Sequence, residues 1–140
     1  GLALAAATEA NGVGQFIGSL ARGFSGWPVM AVVFVVVALM VFMSELTSNT
    51  AQVATMLPIL AALAPVLGVP PALLLLPSTI AASCAFMMPV GTPPNAIVFG
   101  TGLVRMPQMM KAGIWLNLSG ILLITALTYL LIGPLLAAAG

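Results

Sequence analysis

Residues 28–43, Pro-Val-Met-Ala-Val-Val-Phe-Val-Val-Val-Ala-Leu-Met-Val-Phe-Met, run sixteen positions without a charge or a hydrogen-bonding side chain. The next seven, Ser44-Glu45-Leu46-Thr47-Ser48-Asn49-Thr50, are polar apart from Leu46, and apolar residues then resume from Ala51. A polar cluster between two apolar runs leaves backbone groups that need partners. In lipid such a break is tolerated where protein buries it or where it lines a cavity. Substrates and ions are commonly bound at breaks of this kind.

Lipid is the solvent that the rest of the chain demands. Only five of its 140 residues are charged: Glu9, Arg22, Glu45, Arg105 and Lys111. A soluble domain is ordinarily about a quarter charged, and five charges cannot cover one of this size. The expected fold is therefore an all-α membrane protein in contact with a lipid bilayer. The chain has no His and no Asp, and Cys84 is its single cysteine. Disulfide frameworks, zinc sites and imidazole catalysis are thereby excluded within these residues. A net charge of +1 points to no nucleic-acid partner. No basic segment with a cleavage site precedes the apolar stretches, so no signal peptide is expected. The start at Gly1 suggests a fragment or a processed chain.

Residues 1–27 read as the end of one helix, a break at Asn11-Gly12 and a short interfacial helix. Residues 28–47 and 50–64 read as two apolar helices, the second ended by Pro65. Its expected length of about 22 Å falls short of a hydrocarbon core of about 30 Å. Two arrangements follow: a re-entrant hairpin over 28–64 with its tip at Ser48-Asn49-Thr50, or one full crossing and one short one. The tip contains no Gly, Pro or basic residue of an ordinary external turn, which favours the hairpin. A third helix is expected from Pro71 to about Met88. Pro89, Pro93 and Pro94 then interrupt it, and helix resumes to about residue 103. A final helix is expected over about 112–138. Arg105 and Lys111 put the preceding loop on the cytoplasmic side.

The two breaks, at Ser48–Thr50 and Gly91–Asn95, each present a helix C-terminus and a helix N-terminus. Carbonyl ends suit a cation and amide ends an anion. Most other hydroxyls (Thr55, Ser78, Thr79, Ser119, Thr125, Thr128) are expected to bond within their helices or between neighbours. Cys84 and the nine methionines are expected to pack rather than react. Glu45 has four readings: a neighbour of a sodium site, a proton acceptor, a structural partner for a residue in a missing half of the protein, or a carboxylate solvated in a water-filled vestibule.

Ser48-Asn49-Thr50-Ala51 and the stretch Ala82-Ser83-Cys84-Ala85-Phe86-Met87-Met88-Pro89-Val90-Gly91-Thr92-Pro93-Pro94-Asn95-Ala96-Ile97-Val98 closely resemble the divalent anion:sodium symporter family. Its members are sodium-coupled carriers of dicarboxylates, citrate and sulfate. The tripeptide alone is weak; the longer stretch, after it and in the expected order, makes the resemblance specific.

The resemblance implies two inverted repeats, of which this chain would be most of the second. The missing N-terminal repeat would complete the site, and the full-length protein would be a homodimer in the inner membrane. Ser48, Asn49, Thr50, Thr92 and Pro93 would contact the divalent anion. Ser44, Thr47, Asn49 and Gly91 would hold a sodium ion, the coupling ion; no cofactor and no catalytic residue is implied. Transport would run by alternating access, with a C4-dicarboxylate as the expected anion. Alternatives are a sulfate or citrate carrier and a segment that cannot transport alone. A membrane hydrolase using Ser48 lacks a nearby His, Asp or Lys base.

Overall fold

The computed structural model describes Gly23, residues 26–132 and residues 134–135. The expected elements of 1–22 lie outside the described residues. Among the described residues are five α-helices: α1 Val29–Ser44, α2 Asn49–Val66, α3 Ala72–Ala81, α4 Pro93–Gly100 and α5 Met106–Leu127, the last continued by a π-helical turn Thr128–Ile132. The helix α2, and α5 together with its π turn, are long and apolar enough to cross a membrane.

The short helix α3 packs against α1, α2 and α5. The face of α1 that it meets is a stripe at helical spacing: Val32, Val33, Val36, Val37, Met40, Val41 and Ser44. The opposite face exposes Phe34, Val35, Leu39 and Phe42. A helix apolar on every side belongs in a large core or in lipid. In α5 the polarity is inverted. Its buried stripe contains Met109, Gly113, Asn117, Ile121 and Ile124, while Trp115, Leu116, Leu118, Leu122 and Leu123 face outward. Small and polar residues inside, with leucines outside, are what helix packing in lipid selects.

The first two helices fold back on each other. Gln52, in the first turn of α2, donates Nε2 to the carbonyl of Met40 at 2.7 Å. Two residues 12 apart on a continuous helix would be about 18 Å apart along its axis, so the chain reverses between them. Gln52 is only 3% exposed, so this bond is made away from water. Both expected arrangements, the re-entrant hairpin and the two crossings, contain this reversal; the second arm is longer than expected, since α2 runs through Pro58 and Pro65 to Val66. Gly68, at φ 68°, ends it. The amides of Gly68 and Val69 donate to the carbonyls of Pro65 and Ala64, each at 3.1 Å. This is a glycine-closed helix end, which needs the left-handed conformation at that residue.

Two further boundaries differ from expectation. The third helix stops at Ala81, seven residues before Met88, although residues 82–88 contain no proline. Ser83 and Cys84 there bond the carbonyls three residues back, those of Ile80 and Ala81. The last helix starts at Met106 rather than Ala112. Pro107 sits in its first turn, where its missing donor costs nothing, and Gln108 Oε1 accepts from the Arg105 amide at 2.9 Å. The hydroxyls of Thr55, Ser78, Thr79 and Thr128 bond the carbonyl four residues earlier. Thr125 does not: its buried Oγ1 has no partner.

Candidate functional site

The non-helical stretch 82–92 has many backbone groups to satisfy, and three side chains from elsewhere satisfy them. Glu45 follows the last residue of α1 and is 4% exposed. Its Oε1 accepts from the amides of Phe86 at 2.8 Å and Met87 at 3.0 Å. Its Oε2 accepts from Met87 at 3.0 Å and Met88 at 2.9 Å. The helix ladder has by then tightened to three-residue bonds, Ser83 to Ile80 and Cys84 to Ala81, each at 3.0 Å, and the carboxylate satisfies the amides that follow. Ser44 Oγ donates to the carbonyl of Val41 at 2.7 Å or of Cys84 at 3.0 Å. Asn95 Nδ2 donates to the carbonyls of Ala85 at 2.8 Å and Met88 at 3.1 Å. Buried backbone polar groups must find such partners, and here they find them across 41 or more residues of sequence for the carboxylate.

The last helix closes the cluster. Asn117, fully buried, donates Nδ2 to Glu45 Oε1 at 2.6 Å. Every partner of the two Glu45 oxygens is a donor, as an acceptor-only carboxylate requires. One turn before Asn117, a Cβ at Gly113 would lie 2.5 Å from Met87 Cα and from the Phe86 carbonyl oxygen. The absence of a side chain there lets α5 reach the break.

Among the residues expected to hold sodium, Ser44, Thr47 and Asn49 share the turn between α1 and α2. Gly91 approaches that turn through Glu45: a Cβ on Gly91 would be 3.4 Å from Glu45 Oε2 and 2.9 Å from Ala85 Cβ. Thr47 Oγ1 donates to the Met43 carbonyl at 2.9 Å. Ser44 and Thr47 thus spend their hydroxyl protons on carbonyls and keep lone pairs to offer. Asn49 Oδ1 is buried with no hydrogen-bond partner. A hard cation takes oxygen ligands of these kinds, so the residues fit such an ion.

The residues expected to meet the anion occupy two helix N-termini. Ser48 is the N-cap of α2, followed by Asn49 and Thr50, and no side chain caps this end. Thr92 is the N-cap of α4, accepting from the Asn95 amide at 3.4 Å, and Pro93 begins that helix. Thr92 and Pro93 line an open groove of about 430 Å³ with Pro89, Val90, Ala96 and Phe99. The helix α4 buries none of its residues. The contacts of the cluster join the turn to 86–88 and bring Gly91 beside Glu45.

Sequence reasoning missed Asn117, Gly113 and Asn95. Asn95 stood in the recognised stretch, but its donors to the break are visible only in three dimensions. Asn117, an amide amid the apolar residues that follow Lys111, was the available signal. A polar group in lipid is expensive and conspicuous.

Comparison with known proteins agrees with this architecture. The family model for the sodium:sulfate symporter transmembrane region matches residues 1–138. The chain is similar to a sodium-dependent dicarboxylate transporter of Staphylococcus saprophyticus, 43% identical over 136 residues, or 97% of this chain and 26% of that protein. It is also similar to the transporter of that name from Staphylococcus aureus (strain USA300), 41% identical over 129 residues, or 92% of the chain and 25% of that protein. The chain thus spans about a quarter of the length of these relatives. They are transporters, not enzymes, and the hydrolase reading of Ser48 falls with that. With an all-helical architecture and two membrane-length helices among its described residues and a match over residues 1–138, the chain belongs to the family of the sodium:sulfate symporter transmembrane region, multi-pass membrane proteins.

Proposed function

We propose that this chain supplies one repeat's share of the binding site in a sodium-coupled carrier of divalent anions, with a C4-dicarboxylate as the transported species. The observation that carries the reading is the buried, unpartnered Asn49 Oδ1 at the N-terminus of α2, in the same inter-helix turn as Thr47 and the end of α1 at Ser44. Thr47, Ser44, Asn49 and the Gly91 carbonyl form the oxygen set for sodium. Ser48, Asn49 and Thr50, with Thr92 and Pro93, take the anion. None of these side chains is cationic, so the positive potential for a dianion comes from helix N-termini, each worth about half a charge, and from bound sodium. Sodium therefore binds first and raises anion affinity.

The hairpin enters the membrane without crossing it, and the groove beside α4 faces the other repeat of a longer carrier. Arg105 and Lys111, both exposed, lie on the cytoplasmic side of the cell's inner membrane. The names of the two relatives favour dicarboxylate over sulfate or citrate. Transport proceeds by alternating access, the hairpin and the broken helix moving together in a homodimeric carrier.

The test is uptake of labelled succinate, sulfate and citrate into vesicles bearing the complete carrier, with and without sodium. Succinate uptake that requires sodium, and that drops roughly tenfold or more in Asn49→Ala, is the expected result. Sodium-independent succinate binding would sink the ordered scheme. Uptake by the 140 residues alone would sink the two-repeat site.

A further inference from the structure

We propose that Glu45 is a positioning residue: its carboxylate locks the α1–α2 turn to the break after α3, and Asn117 locks the carboxylate from α5. Three consecutive amides, Phe86, Met87 and Met88, converge on one side chain. Such a run of backbone donors is an anion-binding nest. The chain's own carboxylate fills this one, so the nest is not where a transported anion sits.

The geometry gives the clamp a purpose. Glu45 is the neighbour in sequence of Ser44 and lies two residues before Thr47. Its other end holds Met88, three residues before Gly91, and a Cβ at 91 would touch Oε2 at an ordinary 3.4 Å while meeting Ala85 Cβ at 2.9 Å. The two chain segments that would supply oxygen ligands are therefore held at a fixed separation by a single carboxylate. Ser44 adds a second tie to the carbonyl of Cys84. Asn117 Nδ2 at 2.6 Å sets the carboxylate's orientation, and its own Oδ1 has no other partner, so nothing else in the described residues engages this amide. Glu45 is thus a part of the frame, neither a sodium ligand nor a proton carrier. The functional half of this inference rests on the transport reading; the clamp itself does not.

The experiment uses the complete carrier with Glu45→Gln, Glu45→Asp and Asn117→Ala. Two quantities are read: hydrogen exchange of the peptide containing residues 86–88, and the sodium concentration giving half-maximal succinate uptake. Glu45→Gln puts a donor group against amide donors. It should speed exchange at 86–88 by roughly tenfold or more and raise half-saturating sodium several-fold, with high sodium restoring much of the uptake. Asn117→Ala should move both quantities in the same direction by less. Glu45→Asp, which keeps acceptor oxygens one methylene short, should recover part of each. If Glu45→Gln does not fold, Asn117→Ala carries the test, since it leaves the three backbone donors in place. Unchanged exchange at 86–88 overturns the clamp. Faster exchange with unchanged half-saturating sodium overturns the positioning role. A wild-type carrier whose uptake ignores sodium overturns the transport reading instead, and leaves the exchange result standing.

Discussion

Gly113 lies so close to Met87 that a methyl group on it would sit 2.5 Å from the Met87 Cα. The contact is backbone to backbone, so no flexible side chain can move aside. It joins the middle of the longest helix to the middle of the interrupted one, one turn from the amide that holds Glu45.

Gly113→Ala should therefore destabilise the protein. Helix propensity favours alanine by about 1 kcal/mol, whereas forcing a group into a packed site costs about 1–3 kcal/mol and more against backbone. The clash wins. A lower thermal midpoint in detergent, read from tryptophan fluorescence, is the expected result. A raised midpoint would show that α5 stands further from the break.

Asn95 separates two effects. Its Nδ2 donates to two carbonyls of the break. Asn95→Ala leaves both without that donor, at about 1–3 kcal/mol. Asn95→Asp replaces the donor by a carboxylate facing those same carbonyls and should be worse than alanine. Chemical or thermal unfolding of both variants checks the order; aspartate tolerated better than alanine would contradict the amide's assigned role.

Gln52 ties the fold-back of α1 and α2 through its donor to Met40. Gln52→Glu keeps the length and loses the donor, and in so buried a place it should lower stability by about 1–3 kcal/mol. Gln52→Met, close in shape, should cost less because it leaves only the carbonyl unserved. Comparing the thermal midpoints of the two tests whether the donor, rather than the volume, matters.

Cys84 should be dispensable. It is half-buried, and its thiol makes one long contact, 3.7 Å to the Ile80 carbonyl. Cys84→Ala should cost about 1 kcal/mol or less, a modest loss for a small side chain only partly out of solvent. Uptake close to wild type in this variant would provide a cysteine-free background. Single cysteines at Leu46 and Leu103, both exposed, would then report by thiol labelling from either side which face of the membrane each turn occupies.

Much of the architecture was legible without coordinates. Five charges in 140 residues demand lipid, because too few polar groups exist to face water. Pro89, Pro93 and Pro94 demand an interruption, because each removes a donor or crowds the turn before it. The polar run from Ser44 to Thr50 demands a break between two helices, and the longer stretch around Gly91 carries the family. These are local consequences of composition and backbone chemistry, and a single chain read in order suffices for them. What tertiary structure decided is what holds the broken helix open. Residues 82–88 contain no proline; the chain tightens to three-residue bonds at Ser83 and Cys84, and a carboxylate 41 residues away then takes the amide of Phe86. Asn117 and Gly113 enter from still further along the chain. Partners for buried backbone groups can come from any distance in sequence, and periodicity and propensity register only neighbours. Glu45 was therefore visible as costly from the sequence, but its use became clear only when Phe86, Met87, Met88 and Asn117 were found around it.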